Sequence, residues 1–172
     1  ITTGGLLKCW GKNDVGQLGN GTLINSLVPV AIDINTNYTK INSGGNATCG
    51  ITTSGELKCW GSLTGGLGTT IDTVNLTVPT TIDAGTTYSK VKTVGSYTCG
   101  LTTSGDLKCF SGGSTNGGFG FGESPYFAIT PNSILIDKAW KKVARDSSMT
   151  CAIDTSNKLF CWGNGALGNG KS

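Results

Sequence analysis

Seven cysteines are the residues of this 172-residue chain whose type and spacing most directly suggest chemistry. Six of them form three pairs, Cys49/Cys59, Cys99/Cys109 and Cys151/Cys161, each with the same separation. Between the members of each pair lies a short turn phrase: Thr53-Ser54-Gly55, Thr103-Ser104-Gly105 or Thr155-Ser156-Asn157. A three-residue loop of this kind closes a hairpin when its last residue takes the left-handed conformation, which Gly adopts freely and Asn tolerates best among the rest. That loop sets Ile51 opposite Leu57 and Cys49 opposite Cys59, so both cysteines and both aliphatic residues share one face. Opposed cysteines on neighbouring strands lie within disulfide reach. Reduced, buried cysteines of a cytosolic protein are the alternative. Packing alone does not require a pair in every hairpin, so recurrence favours disulfides and an oxidised extracellular or cell-surface setting. Zinc is disfavoured, because two thiols per hairpin supply half a site and histidine is absent. No cofactor is implied. Cys9 is the odd one out: it matches Cys59, and its partner would fall just upstream of Ile1. A chain that is a segment of a longer polypeptide is the simplest reading.

Catalytic sets are hard to assemble from the remaining residues. Without histidine there is no imidazole base, and no other base stands ready to activate the plentiful Ser and Thr. Glu56 and Asp106 hold the same hairpin position in successive units, as solvated turn residues and not as a pair. The glycine-rich stretch 11–21 has no following helix and no Gly-Lys-Ser/Thr, so it is not a phosphate loop. The expectation is a protein that is not an enzyme. Lysines recur before each cysteine (Lys8, Lys58, Lys108) and on the preceding strand (Lys40, Lys90, Lys142). Such rows either attract an anionic surface glycan or serve solubility and blunt strand edges. The net charge of +3 is too small and dispersed to indicate nucleic acid. No apolar run approaches the ~18–20 residues of a membrane-spanning helix. Glycosylation sequons at Asn20, Asn37, Asn46 and Asn75 are about as frequent as chance gives in a chain so rich in Asn, Ser and Thr.

The elements that position the cysteines come from a repeat. ITTGGLLKCWG at 1–11, ITTSGELKCWG at 51–61, LTTSGDLKCFS at 101–111 and IDTSNKLFCWG at 153–163 are copies of one phrase. Pro29, Pro79 and Pro131 precede Tyr38, Tyr88 and Trp140 by a constant interval. The units run approximately 1–50, 51–100, 101–152 and, in part, 153–172. Repeats of this length need their neighbours to bury a core. Each carries about four strand candidates, exemplified by Leu27–Asp33, Tyr38–Asn42, Asn46–Thr53 and Glu56–Trp60. The prolines mark the first of these as an edge strand. With 28 Gly, and Thr, Ser and Asn supplying 53 residues more, the composition favours strands and turns over helices. Four short strands per unit predict an all-β chain of β-propeller-type blades.

Trp10-Gly11-Lys12-Asn13-Asp14-Val15-Gly16-Gln17-Leu18-Gly19 resembles the repeat of the regulator of chromosome condensation family, W-G-x-N-x-x-G-Q-L-G. The match decays to Gly66-Leu67-Gly68 in the second unit and Gly117-Gly118-Phe119-Gly120 in the third, then partly recovers at residues 162–170. The cysteines are similar to those of a version found in secreted and surface proteins of bacteria. The resemblance implies a propeller, usually of seven blades; about three and a half units fit here, so an open array or part of a larger propeller is expected. The family's best-known activity, nucleotide exchange on a nuclear GTPase, uses acidic and histidine residues that have no counterpart here. Another branch inhibits β-lactamases through loop aromatics. Phe119, Phe121, Tyr126 and Phe127 form an aromatic, glycine-rich stretch that suits such contact, or that fills a blade core. The expected function is a non-enzymatic extracellular binding or scaffold module, adhesin-like or part of a surface assembly, with inhibition of a secreted enzyme as the alternative. Its expected partners are a protein or a surface glycan, together with neighbouring blades of a longer chain or of other copies.

Overall fold

The computed structural model describes residues 1–62, 75–94, 97–111, 131–134, 137–145 and 149–163. The strands there are β1 (Leu6–Gly11), β2 (Ser26–Gly44), β3 (Ala47–Thr52), β4 (Glu56–Gly61), β5 (Leu76–Val94), β6 (Tyr97–Thr102), β7 (Leu107–Ser111), β8 (Asn132–Ile134), β9 (Trp140–Arg145), β10 (Met149–Asp154) and β11 (Leu159–Gly163). Neighbours in sequence pair antiparallel, in the order β1 through β8 and, in a second sheet, β11-β10-β9.

The strands expected at Leu27–Asp33 and Tyr38–Asn42 are two halves of the single strand β2. Its first half pairs with β1, Leu7 lying opposite Ile32 and Cys9 opposite Val30. Its second half pairs with β3, from Tyr38 opposite Thr52 to Gly44 opposite Ala47. The chain turns between the halves at Asp33, where φ is +49°. β5 repeats the pattern with Asp83 at +57°. Each long strand therefore forms the outer edge of one four-stranded blade and the inner strand of the next. Pro29 lies in the outer half and is exposed, where its missing N–H costs no ladder bond.

Blades stack face to face through apolar layers. Leu7 and Ile32 of the first meet Tyr38 and Trp60 of the second. Cys49, Ile51, Leu57, Cys59 and Ile82 of the second meet Tyr88 and Phe110 of the third. Cys99, Leu101, Leu107, Cys109 and Ile134 of the third meet Trp140 and Ala152 of the last. A blade uses both faces, which is why every residue of β3 is buried although its sequence does not alternate simply. Gly50 is required at one such contact, because a Cβ there would sit 2.7 Å from the Tyr38 ring.

Candidate functional site

The disulfide hairpins follow from turn geometry. Gly55, Gly105 and Asn157 have φ of +85°, +94° and +69°. Each turn is tied by a side chain at its start: Thr52 Oγ1 accepts from the Glu56 N–H (3.1 Å), and Thr102 Oγ1 from that of Asp106 (2.9 Å). In the last hairpin Asp154 Oδ1 takes this role, accepting from Lys158 N–H and Ser156 N–H at 2.9 Å each. Cys49 then lies opposite Cys59, Cys99 opposite Cys109 and Cys151 opposite Cys161, and all three pairs are bonded. Cys9 carries a free thiol, half-buried on β1 beside the outer strand of the first blade. Burial pushes its pKa up to about 11, so it is a weak nucleophile near neutral pH.

Two polar clusters cross the blade interfaces. Lys58 Nζ and Tyr38 Oη both donate to Asp33 Oδ2, at 2.9 and 2.8 Å. Lys108 Nζ and Tyr88 Oη donate likewise to Asp83 Oδ2, at 2.6 and 2.7 Å. Burial works to raise the Asp33 and Asp83 pKa values. Hydrogen bonds from the lysine, the tyrosine and Thr36 or Thr86 outweigh it and hold both carboxyls below their ordinary value. Both tyrosines are driven upward, first by burial and then by the carboxylate beside them. At the third interface the sequence replaces the whole set, with Leu135, Trp140 and Phe160 at the Asp, Tyr and Lys positions. There Phe160 packs edge-on against Trp140 at 5.5 Å.

The glycine-rich phrase after β1 is a clamp. Asn13 is fully buried, its Nδ2 donating to Thr22 O (2.8 Å), Ile24 O (3.1 Å) and Asn20 Oδ1 (3.1 Å) while its Oδ1 accepts from the Leu18 N–H (2.8 Å). This hub presents Gln17 O to the second blade, where it accepts from Trp60 Nε1 (3.0 Å) and Thr48 Oγ1 (2.9 Å). Gly19 lies flat against the Trp60 indole, and a Cβ there would come within 2.7 Å of Nε1.

The structure does not leave the first lysine row as a free basic stripe, since Lys58 and Lys108 are ion-paired across interfaces. In the second row, Lys40 donates to Ser89 O and Lys90 to Lys141 O (2.6 Å), tying adjacent inner strands together. Glu56 accepts from Thr81 Oγ1 (2.9 Å) and Asp106 from Ser104 Oγ (2.8 Å), each in its own blade. Among the sequons, Asn37 and Asn46 are exposed, Asn75 is partly buried, and the Asn20 amide is engaged with Asn13 and Thr22. Phe119, Phe121, Tyr126 and Phe127 lie outside the described residues. Among the described residues no group of His, Cys, Asp and Glu is arranged to hold a metal, and no helix is long and apolar enough to cross a membrane. Sequence reasoning missed an apolar strip on the first unit: Leu23, Ile24, Leu27, Val28 and Ile34 are all more than half exposed. Its signal is Leu23-Ile24 just before, and Leu27-Val28 at the start of, a strand that already reads as an edge.

Deep burial of Trp60 under the Gln17 loop shows what the W-G-x-N-x-x-G-Q-L-G residues do: they join one blade to the next. Residues 5–51 match the model of the Regulator of chromosome condensation (RCC1) repeat. The rest of the chain shares the fold of known RCC1-type propellers. Human WBSCR16 superimposes with a TM-score of 0.80 at 19% identity, over 99% of this chain and 47% of its own. Prp20p of Saccharomyces cerevisiae gives 0.79 at 17%, over 100% and 45%. The ectodomain of the Physcomitrella patens receptor kinase CR4 gives 0.54 at 19%, over 87% and 35%. The chain thus spans about half the length of the first two structures. No curated protein matches it in sequence. The chain is all-β, with antiparallel sheets that match part of an RCC1-type β-propeller.

Proposed function

We propose that this chain is the blade-bearing part of a non-enzymatic binding or scaffold module, adhesin-like and displayed outside the cell or at its surface, with a protein as partner. The observation that carries the binding role is the exposed strip Leu23, Ile24, Leu27, Val28 and Ile34, with Leu27 96% exposed. Large apolar side chains left exposed on and just before an outer strand favour coverage by another surface. Three disulfides in three successive hairpins support the oxidising compartment. Among the solved neighbours, Prp20p has its binding to Gsp1p and histones described, so one RCC1-type propeller is already a protein binder. The strip suits burial against protein better than against a sugar, which would call for polar partners.

Concentration-dependent light scattering on the oxidised chain tests this reading. The scaffold role predicts self-association that Leu27→Asp with Ile24→Ser abolishes, while thermal stability stays unchanged. A dispersed species at every concentration, identical in the variant, would count against it. The second reading, an inhibitor of a secreted enzyme, rests on the aromatic stretch containing Phe119 and Phe121. It predicts stoichiometric inhibition of a secreted hydrolase such as a β-lactamase, lost in Phe119→Ala.

A further inference from the structure

Four Asn-Gly pairs occur in the chain: Asn20-Gly21, Asn116-Gly117, Asn164-Gly165 and Asn169-Gly170. Such a pair carries a chemistry of its own, because glycine puts no side chain in the way when its main-chain nitrogen attacks the preceding asparagine amide. Asn20-Gly21 is the pair that lies among the described residues, in the loop that clamps the first blade to the second. Both reacting groups are held there. Asn20 Oδ1, on the electrophile, accepts from Thr22 Oγ1 (2.9 Å), the Thr22 N–H (3.1 Å) and Asn13 Nδ2 (3.1 Å). Donors gathered on a carbonyl oxygen stabilise the charge that develops on it during attack. The Gly21 N–H, which belongs to the nucleophile, donates to Thr77 O on β5 of the second blade at 2.8 Å. Burial does not shield the pair, since Gly21 is exposed and Asn20 only half-buried. What separates the primed amide from its nucleophile is the bond to Thr77.

We propose that Asn20 is a self-modification site, an asparagine primed for deamidation and kept unreactive by the docking of its own loop on the second blade. When the loop lifts, the Gly21 nitrogen loses its proton to hydroxide and bonds to Asn20 Cγ. The Cγ–Nδ2 bond breaks, and Nδ2 takes a proton and leaves as ammonia. Water then opens the resulting succinimide. Opening at the side-chain carbonyl gives aspartate, and opening at the main-chain carbonyl gives isoaspartate. Isoaspartate adds a methylene to the main chain inside the Asn13 hub, whose amide also bonds Thr22 O and Ile24 O. The same hub presents Gln17 O to Trp60 and Thr48. A loop so lengthened no longer fits both contacts, so the reaction is a one-way release of the clamp between the two blades.

The test incubates the chain in mildly alkaline buffer made with heavy-oxygen water, which marks each succinimide opening, and reads Asn20 by peptide mapping. Asn164, in another Asn-Gly pair, is the internal standard. The parent is compared folded and in concentrated guanidinium chloride, and folded parent is compared with Trp60→Phe. Phe is already present at the equivalent position of the third blade, as buried Phe110, and it removes the indole N–H that holds Gln17 O. Attack in the folded chain requires local opening, so Asn20 of the folded parent should react at least about tenfold more slowly than in denaturant. Trp60→Phe should speed Asn20 at least about threefold over the folded parent, with Asn164 unchanged. Asp33→Asn, which weakens the same interface at another point, should speed it in the same sense, so the outcome does not rest on one variant. An Asn20 rate equal in folded and denatured parent would overturn the proposal. Folded variants that react no faster than the parent would overturn it as well.

Discussion

Asp33→Asn is the sharpest probe of the blade interfaces. Asn keeps the side-chain shape, tolerates the left-handed backbone at this position, and still accepts from Tyr38. What it removes is the charge facing Lys58, whose Nζ lies 2.9 Å from Oδ2 with the two side chains only 16% and 22% exposed. Fully exposed pairs contribute ~0.2–1 kcal/mol, and stripping one partner from a fully buried pair costs ~3–5 kcal/mol. A pair about four-fifths shielded falls between, so Asp33→Asn should destabilise by about 1.5–3 kcal/mol. Lys58→Met should cost about 1–2 kcal/mol, because Tyr38 and Thr36 still support the carboxylate. Together they should cost less than the sum, with a coupling energy of about 1–2 kcal/mol. Urea unfolding followed by the fluorescence of Trp60, which lies in the same interface, measures all three variants. A coupling energy indistinguishable from zero, or an Asp33→Asn protein as stable as its parent, would refute the argument.

Three further outcomes follow from the same geometry. Asp33 and Asp83 have depressed folded-state pKa values, so the stability they confer is present above about pH 4 and is lost as pH falls through those lower values; an acid titration of the urea midpoint should lose this component in the double Asn variant. Gly19→Ala should destabilise by about 2–4 kcal/mol, combining a Cβ forced against the Trp60 indole with a φ of +78° and a strained Gln17 bond, as thermal melting would show. Replacing Cys49 and Cys59 together by Ser should cost about 2–3 kcal/mol in the chain-entropy model, as urea unfolding would show, and full reduction of both proteins should remove most of the parent's advantage over that variant.

Hairpin register was legible in the residues alone, because a three-residue loop with Gly55 or Asn157 at its end leaves a single pairing that puts both cysteines and both aliphatic residues on one face. The repeat period likewise exposed the blade architecture. Contacts between units were not legible. Lys58 belongs to the unit after the one that holds Asp33 and Tyr38, and nothing local says that a lysine before a cysteine will reach back across a blade. The two rows of lysines therefore read alike, although Lys58 and Lys108 are ion-paired while Lys40 and Lys90 bond to main-chain carbonyls. Continuity of β2 through Asp33 was hidden for a similar reason: a positive φ normally signals a strand's end, and here it lets one strand serve two blades.

Peptide mapping of the natively isolated, unreduced protein tests most directly the claim that this is a disulfide-stapled array of RCC1-type blades in an oxidising setting. Fragments should be joined Cys49 to Cys59, Cys99 to Cys109 and Cys151 to Cys161, each link within one hairpin. Free thiols at all six positions, or links between different hairpins, would contradict the account.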